Sequence, residues 1–171
     1  MLSEKMAAAL NDQVSMEAYA SFLYLSMASW CDHQGLEGTS QFLYRQSAEE
    51  HDHMMRIFKY ILEMDNQAIV PSVNQPPKEF ASIQSIFDEV YTHEQKVTKS
   101  INKLLNLAND ENDHSTHNFL QWYVTEQREE EVLIRNILDK LKLIGDGPQS
   151  LYFIDKEITD INTQTSTQQG E

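Results

Sequence analysis

Three features predict an all-α protein: an up-down-down-up four-helix bundle with a long crossover between the second and third helices and a short C-terminal fifth helix. Apolar residues recur at the helical period almost throughout. Glycine and proline are scarce, 5 and 4 in 171 residues, so long helix interiors are left unbroken. Pro71, Pro76 and Pro77 gather in one segment, which marks the long connection.

The first helix is expected from an N-cap at Ser3 to about Asp32, with Gly35 and Gly38 marking the break. The second spans about Thr39 to Asp65. Asn66 to Ala81 reads as the connection. Ser82 caps a third helix that ends near Asn109. Asn109 to Asn112 forms a short turn, and Asp113 caps a fourth helix ending near Ile144. Gly145-Asp146-Gly147-Pro148 stops it, and a fifth helix runs from about Gln149 to Asp160. Residues 1–160 thus form one domain. Residues 161–171, rich in Thr and Gln, read as a polar, mobile tail.

Loop lengths set the topology. Short links join the first and the last helix pairs, so each pair is antiparallel. Helices of this size are roughly 40 to 47 Å long. The middle connection, about 16 residues, spans up to roughly 55 Å, so it can run the length of the bundle and make the second and third helices parallel.

Composition narrows the function. There are 27 acids against 13 Lys and Arg, a formal net charge of -14. With no basic stripe, a nucleic-acid partner is not expected. An acidic surface attracts cations, although acidity also serves solubility alone. The single cysteine, Cys31, builds no internal disulfide framework, in keeping with a reducing compartment. The first residues lack a basic start and an apolar core of the signal-peptide kind, and no apolar run approaches a membrane span. The expected location is the cytoplasm, with no membrane partner.

The core stripes carry polar interruptions. On the first helix Leu10, Val14, Glu17, Ser21, Tyr24 and Ala28 share a face. On the second, Leu43, Gln46, Glu50, His53, Ile57 and Ile61 do so. The third stripe, from Ile83 to Ala108, is apolar except for Glu94. The fourth holds Phe119, Tyr123, Glu126 with Gln127, Glu130, Ile134, Ile137 and Leu141. Each interruption lies near its helix midpoint, and midpoints share one height whichever way a helix points. Glu17, Glu50, His53, Glu94, Gln127 and Glu130 should therefore converge in a central slab.

Four carboxylates buried together repel one another, and unpaired burial costs several kcal/mol each. No Lys or Arg shares these stripes at that height, so protons or metal ions must supply the positive charge. Two divalent cations match four carboxylates. Glu50-x-x-His53 places both side chains on one helical face. A lone Glu-x-x-His is usually a surface accident, and a lone Glu94 could be a protonated core acid. Their coincidence on four helices changes both readings towards a di-iron bundle pattern. Mixed carboxylate and imidazole ligation suits iron or manganese, and zinc can also bind. Tyr24, two turns from Glu17, is most simply a core tyrosine with a bonded hydroxyl; the alternative is a redox or hydrogen-bonding partner of the site. Trp30 and Trp122 read as core residues. His33, His93, His114 and His117 read as surface or interface residues.

With these residues assembled, the chain resembles bacterial non-haem ferritins from about Met1 to Asp160. The resemblance rests on Glu17, Glu49-Glu50-x-x-His53, His93-Glu94-Gln95, the run Phe119 to Glu131, and Leu151-Tyr-Phe-Ile-Asp155. It implies one iron site at Glu17, Glu50 and His53, and a second at Glu50, Glu94 and Glu130, bridged by Glu50. It places Gln127 beside the second site and Tyr24 beside the first, with a third iron site at Glu49, Glu126, Glu129 and Glu130. It further implies a hollow shell of 24 subunits, with the fifth helix at the four-fold axes. The same resemblance implies that iron(II) and dioxygen react at the paired site and that iron(III) passes to an oxide mineral inside.

Two departures qualify the resemblance. The haem-containing branch has methionine directly after the second-helix ligand Glu; here His51 stands there, so haem is not expected. Animal ferritins line three-fold channels with paired acids near the start of the fourth helix, where this chain has His117 and Leu120. Two other functions compete. A discrete di-iron oxidase or peroxidase would carry a second Glu-x-x-His or an electron-transfer module, but the fourth helix has Gln127-x-x-Glu130 and the chain has no Cys-x-x-Cys. A purely structural bundle would keep its acids protonated or hydrogen-bonded and bind no iron tightly.

Overall fold

A computed structural model describes residues 1–168 of the chain. Five helices follow in order: α1 (Glu4–His33), α2 (Glu37–Glu63), α3 (Ile83–Asp110), α4 (His114–Ile144) and α5 (Ser150–Gln168). Residues 64–82, which hold the three clustered prolines, contain no helix or strand.

The caps lie where the sequence places them. Ser3 accepts from Met6 N at 3.0 Å. Ser82 and Ser85 satisfy each other's backbone in a capping box, and Asp113 accepts from Thr116 N. α2 differs: it begins at Glu37 rather than Thr39, behind Leu36, which has no side chain to cap with. The cap comes from α5. Asp155 accepts from Gly38 N at 3.0 Å and from Thr39 N and Oγ1 at 2.7 and 2.8 Å. That carboxylate also lies at the positive end of the α2 dipole. Gly38 has a packing reason as well. A Cβ there would lie 2.5 Å from the Asp155 carbonyl oxygen and closer still to Thr159 Oγ1. α5 thus rests on α2 backbone to backbone. Its span is a correction, because it continues to Gln168, well past the expected end at Asp160. Ile161, Asn162, Thr163 and their neighbours are helical and not part of a separate tail; residues 169–171 lie outside the described residues.

Contacts between helix ends fix the direction of each helix. Leu2 N donates to Asn66 just after α2, and Ser3 Oγ donates to Glu111 just after α3. Tyr60, late in α2, bonds Thr116, early in α4. The ends of α2 and α3 and the starts of α1 and α4 therefore share one end of the bundle, so α2 and α3 run parallel. The crossover between them is fastened to α1: Asn11 bonds Gln67 and Ile69, and Ser26 donates to the Pro77 carbonyl.

The core falls into two apolar clusters. One packs Leu23, Met27, Phe42, Phe87, Ile137 and their neighbours, with Ile154 and Ile158 of α5. The other packs Met6, Leu10, Val14, Ile57, Ile101 and Leu120 at the opposite end. Between them lies a buried polar layer containing Gln13, Glu17, Gln46, Glu50, His53, Glu94, Gln127 and Glu130. The spacing of α2 and α4 makes room for it: no Cα of one comes within 8 Å of a Cα of the other.

Candidate metal centre

Glu17, Glu50 and His53 each offer one ligand atom within 4.8 Å of the others, and all three are buried. α1 supplies Glu17 from the middle of its stripe. α2 supplies the other two one turn apart, with His53 Nδ1 3.4 Å from Glu50 Oε2. A second group comprises Glu49, His53 and Glu126, with the two acids half-buried. His53 Nε2 lies 3.8 Å from Glu126 Oε1, so one imidazole presents a nitrogen to each group.

Glu94 and Glu130 lie in the same layer but are held by hydrogen bonds. Glu94 accepts from the Tyr24 hydroxyl on one oxygen and from Gln127 Nε2 at 3.0 Å on the other. Glu130 accepts from Gln46 Nε2 at 3.1 Å. Among the described residues, Glu50, Glu94 and Glu130 do not close into a further group within ligand distance. Tyr24 lies against Glu94, an acid the resemblance assigns to the second iron site, whereas the resemblance put Tyr24 beside the first. The aromatic hydroxyl facing Glu17 and Glu50 is that of Tyr123.

The electrostatics follow from burial. Burial raises the Glu50 carboxyl well above its ordinary range, and the charges of Glu94 and Glu17 add to the effect. Glu130 is raised by burial and then by Glu94 and Glu49. Burial pushes Glu94 up to about 7, against the pull of its bonds from Tyr24 and Gln127. Each acid prefers a proton or a nearby cation to standing charged alone. Orphaned oxygens mark the same need: Glu17 Oε2 and Glu50 Oε1 are buried without a hydrogen-bond donor. Carboxylate oxygens and imidazole nitrogen without basic partners form a donor set for a divalent metal ion.

Some residues were legible and some were not. Gln13, fully buried, donates to Glu17; its spacing of four residues on one helix is the signal that could have found it. Arg45 and Arg56 lie off the core stripes, yet both reach the edge of the second group. Arg45 Nη1 is 3.5 Å from Glu49, and the Arg56 guanidinium stacks 3.9 Å from the Trp122 ring centroid, beside Glu126. Trp122 is half-buried rather than central and stacks on Tyr123 at 4.3 Å. Glu129 is mostly exposed and pairs with Arg128, outside the ligand groups. His93 is a correction to the surface or interface reading, because it is buried within the subunit. It is buried against Tyr19 and Tyr24, and burial lowers it to about 4.

The sequence from residues 7 to 144 matches the ferritin-like domain family. The chain belongs to the ferritin family. It is 44% identical over 164 residues to a bacterial non-heme ferritin of Escherichia coli, covering 96% of this chain and 99% of the relative. Against a bacterial non-heme ferritin of Campylobacter jejuni the identity is 45%, over 94% of this chain and 96% of that one. An open-pore ferritin of the archaeon Archaeoglobus fulgidus superposes with a TM-score of 0.90 at 45% identity, covering 93% of this chain and 98% of that one. The ferritin match thus spans the four-helix domain in which all the ligand candidates lie.

Proposed function

We propose that this ferritin oxidises iron(II) with dioxygen at a paired intrasubunit site and stores iron(III) as a mineral in a hollow shell of 24 identical subunits in the cytoplasm. The observation that carries this is the buried layer of acids in which, among the described residues, no Lys or Arg pairs with Glu17 or Glu50, in a chain of the ferritin family. The non-heme ferritin relatives support an iron cargo. Among the described residues no helix is long and apolar enough to cross a membrane.

Each residue has a role in that reading. Glu17, Glu50 and His53 hold one iron(II) ion, and Glu50 with Glu94 and Glu130 holds the other. Iron displaces the protons that burial favours on Glu50, Glu94 and Glu130, and electrons pass from the iron to dioxygen. Gln13, Gln46 and Gln127 each donate to a different ligand carboxylate and orient it. The Tyr24 hydroxyl holds Glu94 from the far side. The stacked Trp122 and Tyr123 rings beside His53 exclude water from that flank. Glu49, His53 and Glu126 receive iron after the paired site, with Glu129 at the exposed edge.

Assembly and metal uptake test the reading together. Subunits of 19.8 kDa should elute as a particle of about half a megadalton. That particle should take up and oxidise iron(II) in a fast initial phase. A monomer or dimer that binds no iron would overturn it.

A further inference from the structure

Arg45 stands outside the proposed ligand set but against it. Its guanidinium is pinned on three sides. Cζ lies 5.5 Å from the Phe42 ring centroid, Nε donates to Asn162 Oδ1 of α5 at 2.7 Å, and Nη1 is 3.5 Å from Glu49 Oε2. The side chain is only 19% exposed, and neither terminal nitrogen has a hydrogen-bond acceptor. Such burial is costly unless negative charge faces the cation. Glu49 supplies it directly.

An arginine and a glutamate four residues apart on an open helix would form and break their pair freely. Here α5 holds the arginine. The Asp155 cap and the close approach at Gly38 fix the register of α5 on α2, and Asn162 follows two turns later on α5.

We infer that Arg45 is a positioning residue that sets how loosely Glu49, His53 and Glu126 hold a metal ion, and that α5 keeps it in place through Asn162. This rests on the functional reading above. A fixed cation competes with metal for the Glu49 carboxylate. Arg56, stacked on Trp122, adds a second cation on the Glu126 side. No Lys or Arg forms an ion pair with Glu17 or Glu50 among the described residues. Metal is therefore held tightly at the buried group and loosely at the outer one, which favours onward movement of oxidised iron.

The test is zinc titration calorimetry on the assembled, metal-stripped protein, using wild type, Arg45→Gln, Arg45→Lys, Asn162→Ala and the double variant Arg45→Gln/Glu49→Gln. Wild type should show a tight class and a weaker class. Arg45→Gln should tighten the weaker class by about tenfold, the scale of one well-placed charge pair, and leave the tight class in place. Arg45→Lys should return the weaker class towards wild type, Asn162→Ala should fall between, and Glu49→Gln should cancel the gain. Recovery of the fast oxidation phase after a first iron load should slow in Arg45→Gln. If both classes appear and the weaker one is unmoved in Arg45→Gln and Asn162→Ala, this inference fails and the functional reading stands. If no class appears in wild type, both fail. Should Arg45→Gln not assemble, Asn162→Ala decides: a wild-type weaker class in that variant overturns the inference.

Discussion

The two ligand groups share His53 and differ in nearly everything else. Glu17 and Glu50 are 0% and 2% exposed, lie between apolar clusters, and have no Lys or Arg partner among the described residues. The side chains of Glu49 and Glu126 are 16% and 27% exposed, with Arg45 and Arg56 at their edges. The comparison teaches that burial decides whether a cation is required. The inner acids are costly without one, whereas the outer acids already have water and arginine. Under the proposed function, tight binding and chemistry are expected at the first group and transit at the second.

The largest expected effect is from Glu50→Ala, which removes the carboxylate common to both proposed iron positions. Stopped-flow oxidation of iron(II) should lose its fast phase by about 100-fold, at the upper end of what ligand-shell changes cost. A wild-type rate would move the chemistry away from the buried group.

Glu126→Ala and Glu129→Ala sharpen the contrast. Both should keep the first fast phase and change later turnovers, Glu126→Ala by about threefold and Glu129→Ala by less, because Glu129 is mostly exposed and paired with Arg128. Sequential iron additions followed by oxygen electrode would show it. Loss of the first phase in Glu129→Ala would merge the two groups into one.

The pH dependence of metal-stripped protein tests the cost of the inner acids. A carboxyl raised in the folded state binds more protons folded than unfolded, so it favours folding at low pH and loses that advantage as pH rises. For Glu94 the window runs from its ordinary value of 4.5 to about 7. His93, lowered to about 4, contributes the opposite slope below 6.5, but the three raised acids Glu50, Glu94 and Glu130 outnumber it, so thermal midpoints of stripped protein should fall across the window, and excess zinc should remove most of the slope. A midpoint that rises with pH in stripped protein would contradict this. Zinc binding near pH 6 should also release protons, seen as a buffer-dependent heat.

The smallest effect is expected at the start of α4. His117 is half-buried, its backbone carbonyl accepts from Gln121, and Leu120 is fully buried in the core. Neither supplies acids to a channel, so iron should reach the paired site by a route through the subunit or another pore. His117→Ala and His117→Trp should keep the fast phase within about twofold. Added salt should slow uptake modestly by screening the acidic surface over about 8 Å. If both variants assemble and both lose most of the fast phase, the three-fold axis is the entrance.

Much of this was legible because helical period fixes which residues share a face. Ser3, Ser82 and Asp113 mark three helix starts, and the stripes bring Glu17, Glu50, Glu94 and Glu130 to one layer. What was not legible depends on contacts between helices. The start of α2 is capped by Asp155, over a hundred residues away, so no local signal marks it. The extension of α5 to Gln168 carries Asn, Thr and Ser residues of modest helix propensity. His93 is buried by Tyr19 and Tyr24 from another helix, and Arg45, beside Glu49, is bonded by Asn162 of α5. The Tyr24 hydroxyl could have bonded either half of the site from its spacing alone; it donates to Glu94 on α3, a contact between helices that spacing along α1 does not reveal.

The central claim is a two-metal site within each subunit. Crystals soaked anaerobically in iron(II) and measured at the iron absorption edge test it most directly. The expected result is two strong anomalous peaks about 3 to 4 Å apart, one among Glu17, Glu50 and His53 and one among Glu50, Glu94 and Glu130. A weaker peak is expected beside Glu49 and Glu126. Iron found only on exposed acids, with the buried layer bare, would contradict it.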